Sequence, residues 1–204
     1  MRYFSLAILL CLLFVSSVAL AIPVEAVKIQ KAYEGLKDIK GSFIQKSFIK
    51  DLKKTSVYKG EFLIKLPSKM RWKYDGQEVV ISGSEILICQ KQEKQAFRGR
   101  FDKDVYGQTP IALLGGFADI DREFDITQKG SRLILKPKRP MGGVARIEIT
   151  PTGGAFPIAS FKVIDSYSNT VEITLEDVEV NTGIADSAFE LRVPEGLKVY
   201  EYNP

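Results

Sequence analysis

The sequence predicts a mainly β protein with a few helices, built on one continuous antiparallel sheet of ten or eleven strands. Apolar and polar residues alternate over most of the chain, which is the pattern of strands with one dry and one wet face. Turn residues separate the alternating segments at short intervals. Apolar residues at helical spacing occur only near the amino end and around residue 110. Because a sheet of this length should curl, we expect the two helices to cover its dry face.

The first 21 residues have the composition of a secretory signal peptide. Arg2 is followed by an apolar run from Leu6 to Val15 and by Ala19-Leu20-Ala21, whose two alanines have the spacing of a cleavage site. The run is too short to span a bilayer as a helix. We therefore expect export, cleavage before Ile22 and a single domain over residues 22–204.

The two cysteines predict neither a lipid anchor nor an intramolecular disulfide. Cys11 lies inside the apolar run and follows bulky Leu10, whereas lipidated cysteines follow the run and a small residue. Only Cys89 remains after cleavage. Its apolar neighbours Ile86 to Ile88 favour a buried strand, so Cys89 is predicted to be a small core residue and not a reactive thiol.

Composition excludes several classes of function. The chain holds 29 Lys and Arg, 25 Asp and Glu, and no His. Without His there is no Ser-His-Asp or Cys-His nucleophile and no His-ligated zinc. Carboxylate pairs and Lys bases stay open as catalytic groups, but none of them is clustered in a recognisable way. We therefore expect no enzyme activity, metal or cofactor. Basic residues alternate with acidic ones and the longest basic run is Lys53-Lys54, which argues against nucleic-acid binding.

The amino-terminal helix is predicted over Pro23 to Lys40, with Pro23 in its first turn and Gly41 at its end. A second helix is predicted from Thr109 to Leu114, where Gly115-Gly116 stops it. The alternation begins at Ser42. Further predicted strands cover Val57–Leu66, 70–75, Glu78–Ser82, Glu85–Gln90, Gln95–Arg98, Glu123–Thr127, Arg132–Lys136, Val144–Thr150, Pro157–Asp165 and Thr170–Val180.

Two of these strands present matching dry faces. Phe62, Ile64 and Leu66 share one parity, and the next strand places Met70, Trp72 and Tyr74 on one side. Such stripes either line a cavity for an apolar ligand or form an ordinary sealed core. Periodicity alone leaves both interpretations open.

Several motifs occur in an order that resembles the LolA family and covers nearly the whole mature chain. They are Gly41 to Gln45, Gly60 to Tyr74, Thr109 to Leu114, Leu135 to Pro137 and Phe189 to Gly196.

The resemblance implies an incomplete, half-open antiparallel β-barrel of about 11 strands covered by a helical lid. It implies a periplasmic, monomeric chaperone that takes lipoproteins from an inner-membrane transporter to an outer-membrane acceptor. The acyl chains would lie against Phe62, Ile64, Leu66, Met70, Trp72 and Tyr74, and the lid would present Ile111, Leu113 and Leu114.

One position departs from the family pattern. Members carry an arginine immediately before the proline that matches Pro67, and this arginine holds the lid by hydrogen bonds to helix backbone. Leu66 stands there in this chain. We therefore expect the lid to close by apolar contact with Leu66.

Two other functions fit the same fold. One is a LolA-like sensory domain that binds a lipidated ligand and signals to a protein partner. The other is a carrier of a different amphiphile, such as a phospholipid or glycolipid. The sequence favours the lipoprotein carrier over the sensor, because it shows no further domain or membrane segment.

Overall fold

The computed structural model describes residues 22–101 and 120–202, which form two α-helices, one 3₁₀ helix and twelve strands. The helices are α1 (Val24–Glu34) and α2 (Ile120–Glu123), and the 3₁₀ helix covers Asp186–Phe189. The strands are β1 (Asp38–Ile49), β2 (Lys54–Lys65), β3 (Lys69–Tyr74), β4 (Gln77–Ser82), β5 (Glu85–Gln90), β6 (Gln95–Arg100), β7 (Phe124–Lys129), β8 (Arg132–Pro137), β9 (Val144–Pro151), β10 (Ile158–Asp165), β11 (Thr170–Val180) and β12 (Lys198–Tyr202). Within these two ranges, no helix is both long and apolar enough to cross a membrane.

All twelve strands belong to one open sheet. Its order is β12, β6, β5, β4, β3, β2, β1, β11, β10, β9, β8, β7, and consecutive strands pair antiparallel except β12, which runs parallel to β6. This confirms the predicted mainly β class and the open antiparallel sheet. The sequence did not predict β12, because its pairing with β6 joins segments about a hundred residues apart and leaves no local signal.

The sheet curls around one apolar core that α1 completes. Side chains from β3 and from β8, at distant positions in the sheet, belong to the same buried cluster. Helix α1 buries Ala26, Ile29 and Tyr33 in it, and the Tyr33 ring meets Phe156 edge-on at 5.8 Å between centroids. We call the sheet face that carries this cluster the inner face.

The first helix is shorter than predicted. It ends at Glu34 with Gly35 as its C-cap, and Asp38–Lys40 already belong to β1. The backbone of Lys37 accepts a hydrogen bond from Leu66 N at 2.9 Å, beside the paired strands β1 and β2. Leu36 continues the helical spacing of apolar residues in the sequence, but the residues after it pair with β2, so the helix ends before it.

Gly41 lies inside β1 and does not stop a helix, so that part of the prediction is wrong. It occupies an irregularity in the pairing of β1 with β11. A Cβ at this position would lie 2.8 Å from the Glu176 carbonyl oxygen and 3.0 Å from the Phe62 ring. The glycine is therefore required because backbone and an aromatic ring approach it closely.

Asp38 is a buried carboxylate that ties the start of β1 to the chain after β11. Its oxygens accept hydrogen bonds from Thr182 N (2.7 Å), Thr182 Oγ1 (3.1 Å), Gly183 N (3.0 Å) and Ile184 N (3.4 Å). Burial alone would raise the pKa of Asp38, but these donors favour the charged form and hold the pKa below its usual value.

Replacing Asp38 with Asn should lower the free energy of unfolding by about 3 kcal/mol at neutral pH, because charge-assisted hydrogen bonds are lost inside the protein. The pKa of Asp38 is lower in the folded protein than in the unfolded chain, where it is about 3.9. The stabilisation is therefore present above about pH 3.9 and is lost as the pH falls through the pKa of Asp38 in the folded protein. Urea unfolding of the wild type, D38N and the exposed-site control D125N at pH 7 and pH 3 measures the effect. A D38N protein as stable as D125N at pH 7 would contradict it.

The chain between β11 and β12 covers part of the outer face. Phe189 is buried, and Leu191, Val193 and Leu197 pack on a second cluster of Leu87, Cys89 and Ala96. Arg71 and Arg98 donate to the carbonyls of Glu190 (3.2 Å) and Leu191 (3.3 Å). Cys89 is buried as predicted, and burial raises the pKa of its thiol.

Candidate functional site

The six predicted lining residues lie together on the inner face of β2, β3 and the residue after β2. Phe62 pairs with Trp72 and Ile64 with Met70, which confirms the predicted parity of both strands. Phe62, Ile64, Met70 and Trp72 are buried, while Leu66 and Tyr74 are partly buried against the same cluster. That they contact an acyl chain stays a prediction.

Phe43 is a central member of this surface that was not among the predicted lining residues. Its ring stacks on Trp72 with 4.1 Å between centroids and meets Tyr74 edge-on at 5.2 Å. Phe43 stands beside Ile44, and two adjacent apolar residues do not show which of them faces the core. The signal that could have selected Phe43 is Gly60, the residue paired with it, which has no side chain to exclude the ring.

Gly60 allows this aromatic stack to form. A Cβ at Gly60 would lie 2.0 Å from the Lys73 carbonyl oxygen and 2.7 Å from the Phe43 ring. Only a residue without a side chain fits between the β3 backbone and the ring. The glycine therefore sets the position of Phe43 against Trp72.

The indole N–H of Trp72 is a buried donor without a hydrogen-bond acceptor among the described residues. Trp72 is 1% exposed, and its Nε1 has no hydrogen-bond partner in the described part of the chain. Burial raises the pKa of neighbouring Tyr74 to about 12, and the indole N–H opposes this shift without reaching hydrogen-bond geometry. A buried, unpaired donor costs free energy unless an acceptor reaches it.

A short polar track continues from Trp72 along the inner face. The Tyr74 hydroxyl donates to Gln45 Oε1 at 2.8 Å, and Gln45 Nε2 donates to Ser47 Oγ at 3.0 Å. Exposure increases in the same direction, because Tyr58, on the inner face beside Tyr74, is 46% exposed. The inner face is thus buried at Trp72 and exposed to solvent at Tyr58.

Leu66 follows β2 at the other end of this strand. Its side chain is partly buried and packs against the inner-face cluster, and its amide is held by Lys37. The predicted lid residues Ile111, Leu113 and Leu114 lie outside the described residues, so their contact with Leu66 stays a prediction.

The described ranges contain no group of three or more residues that could hold a metal ion. The outer face of β2 and β3 instead carries ion pairs, in which Lys65 and Lys69 contact Asp186 at 2.7 and 3.0 Å. These lysines lower the pKa of Asp186. The pairs hold the segment after β11 on the sheet and lie opposite the inner face.

Comparison with known proteins places this arrangement in a family. The family model described as outer membrane lipoprotein carrier protein LolA matches residues 34–192. The chain is 26% identical over 149 residues to an outer-membrane lipoprotein carrier protein of Halorhodospira halophila, which covers 71% of this chain and 70% of that one. It is 26% identical over 169 residues to one of Neisseria meningitidis, with 79% of each chain covered.

A solved structure shows the same fold at greater distance. An uncharacterized conserved protein from Thermus thermophilus superposes with a TM-score of 0.55 at 10% identity, covering 87% of this chain and 97% of that one. The family match extends from the last residue of α1 to the segment that covers the outer face. The chain belongs to the LolA family of outer-membrane lipoprotein carrier proteins.

Proposed function

We propose that this protein is a non-enzymatic chaperone that carries lipoproteins across the periplasm with their acyl chains against the inner face of β1, β2 and β3. The observation that carries the proposal is the inner face itself. It is lined by Phe43, Phe62, Ile64, Met70 and Trp72, and it opens to solvent at Tyr58. Membership of the lipoprotein carrier family supports the class of cargo.

A carrier is needed because acyl chains cannot cross water unaided. At about 0.8 kcal/mol per methylene group, a chain of roughly sixteen carbons costs on the order of 12 kcal/mol to expose. An apolar concave face removes most of this cost. No bond is made or broken, so transfer requires no catalytic group.

The polar atoms of the site suit the polar end of a lipid anchor. The Trp72 N–H has no acceptor within hydrogen-bond geometry in the described residues, and an ester or amide carbonyl of the anchor would supply one. The polar track of Tyr74, Gln45 and Ser47 offers further partners between Trp72 and the open end. In this arrangement the acyl chains pass Tyr58 and the carbonyl groups lie beside the track.

The route of the protein follows from the same proposal. Residues 1–21 act as a signal peptide, and residues 22–204 form the single carrier domain in the periplasm. An inner-membrane transporter supplies the lipoprotein, and an outer-membrane acceptor receives it. The carrier works as a monomer, and nucleic acid has no part in the cycle.

Leu66 should alter how the empty carrier closes. If the lid is held by apolar contact here, Leu66→Arg restores the polar latch of the family and stabilises the closed state. We expect the affinity for a fluorescent acyl probe to fall about three- to tenfold, or about 0.7–1.4 kcal/mol. Leu66→Met, which keeps size and polarity, is the control and should bind as the wild type does. Equal affinity in all three proteins would remove Leu66 from the closing mechanism.

The identity of the cargo is tested by native mass spectrometry of protein purified from the periplasm without detergent. Bound acylated lipoprotein supports the proposal. A bound phospholipid or glycolipid would contradict the assigned cargo and identify a carrier of another amphiphile. Protein that never carries a ligand would indicate a sealed core.

A further inference from the structure

The end of the sheet near Tyr58 is extended by a hairpin and a neighbouring turn. Strands β1 and β2 have 12 residues each and pair from Asp38 with Lys65 to Ile49 with Lys54. The β10–β11 turn lies beside this hairpin, because Phe48 pairs with Thr170 and Lys50 N donates to Asn169 Oδ1 at 2.9 Å. We call residues 46–59 together with residues 165–169 the basic tip.

Large apolar side chains are exposed on both parts of the basic tip. Leu52 is 68% exposed and Ile49 is 44% exposed in the hairpin, while Tyr167 is 74% exposed in the adjoining turn. The Asp165 carboxylate orders that turn by accepting hydrogen bonds from the amides of Tyr167 (2.9 Å) and Asn169 (2.8 Å). Exposed apolar side chains on adjacent ordered turns indicate a contact surface.

The same surface carries most of the excess positive charge of the chain. Residues 46–59 contain Lys46, Lys50, Lys53, Lys54 and Lys59 against one acidic residue, Asp51. Residues 165–169 add the carboxylate of Asp165, so the basic tip carries a net charge of +3, against +4 for the whole chain. None of these five lysines forms an ion pair with another described residue. The expectation from the sequence that basic residues do not cluster is therefore wrong for this segment.

We infer that the basic tip docks on the headgroup region of an anionic phospholipid bilayer. Leu52 and Tyr167 lie in turns and Ile49 ends β1. A partner must accept these exposed side chains without a matching pocket, which a fluid interface does. Lys50, Lys53 and Lys54 flank Ile49 and Leu52 in the sequence, and the lysines of the tip complement anionic headgroups, as basic segments at membrane surfaces do. An acidic protein is the competing partner.

Docking in this way would give the carrier a fixed orientation at the membrane. Tyr58 lies on β2 within the basic tip, on the side next to the buried part of the inner face. The open end of the inner face would therefore point toward the bilayer, where acyl chains enter and leave. The lysines of the tip and the exposed side chains of Ile49, Leu52 and Tyr167 are separate from the buried lining residues, so they act whichever lipid the protein carries.

The test is flotation of the purified protein with vesicles of phosphatidylethanolamine and about a quarter phosphatidylglycerol, compared with phosphatidylcholine vesicles. We expect binding to the anionic vesicles alone, and loss of that binding in high salt. The double variant K53E/K54E should bind about thirtyfold less, and L52D about tenfold less. The control K129E/K136E changes the net charge by the same amount on β7 and β8 and should bind as the wild type does.

Absence of binding to anionic vesicles at low salt would overturn the inference. Equal loss in K129E/K136E would also overturn it, because the effect would then follow net charge and not the basic tip. Capture by an acidic partner protein with no vesicle binding would replace the bilayer with that partner. Native mass spectrometry of the wild type separates these outcomes from the proposed function, since bound lipoprotein on a protein that binds no vesicles overturns the bilayer contact and leaves the proposed function standing.

Discussion

Replacing Tyr58 with Asp should weaken binding of an acyl probe at least about tenfold while leaving the fold intact. Tyr58 lies on the inner face where exposure begins. In the proposed function, acyl chains that enter the site pass it. A carboxylate at this position would lose hydration when an apolar chain lies against it. A tenfold loss of affinity corresponds to a cost of about 1.4 kcal/mol. Because the side chain is 46% exposed, the free energy of unfolding should change by less than about 0.5 kcal/mol.

Val57→Asp is the matched control for this measurement. Val57 is the preceding residue of β2, points to the opposite face and is 55% exposed. Probe titration and urea unfolding of both variants therefore compare the same charge on two faces. Equal loss of binding in both would contradict an inner-face entrance, and unchanged binding in both would indicate that acyl chains avoid Tyr58.

Replacing Gly60 with Ala should lower the free energy of unfolding by about 3 kcal/mol, a large effect for one methyl group. The added Cβ would lie 2.0 Å from the Lys73 carbonyl oxygen, so β2 and β3 must move apart. It would also displace the Phe43 ring, which stacks on Trp72. Trp72 fluorescence and the near-ultraviolet circular dichroism of the aromatic groups should both change in the folded variant.

Gly153→Ala is the control, because a Cβ there meets no atom within 4 Å and its backbone is not left-handed. Its unfolding free energy should stay within about 0.5 kcal/mol of the wild type. A G60A protein as stable as G153A, with an unchanged Trp72 signal, would show that the stack does not depend on Gly60.

The sequence predicted the parts of the site that depend on alternation. Phe62, Ile64, Met70 and Trp72 lie on one face because polar residues separate them along the strands, and the structure confirms this parity. Phe43 was not predicted to lie on this face, because Ile44 beside it is also apolar and alternation cannot tell the two apart. Tyr58 has the same strand parity as Phe62 and so lies on the same face. Its exposure depends on how far α1 and the curled sheet extend over that face, and the local sequence does not show this.

Long-range contacts explain the other differences. Helix α1 ends at Glu34 because the following residues enter β1, and Gly41 serves a close approach between strands. β12 pairs with β6, and the segment before it covers Cys89 on the outer face. The basic tip likewise forms when the β10–β11 turn meets the first hairpin, so its exposed apolar residues were not apparent from separate segments.

The central claim is that acyl chains occupy the inner face, and the single tryptophan of the chain allows a direct measurement. Trp72 is the only Trp, and it lies buried between Phe43 and Phe62. A lipopeptide with bromine in the middle of its acyl chains quenches indole fluorescence only at short range. Loading the carrier with it should quench Trp72 in proportion to occupancy, while the same lipopeptide without bromine should not. A fully loaded carrier whose Trp72 fluorescence is unchanged by the brominated chains would contradict the account.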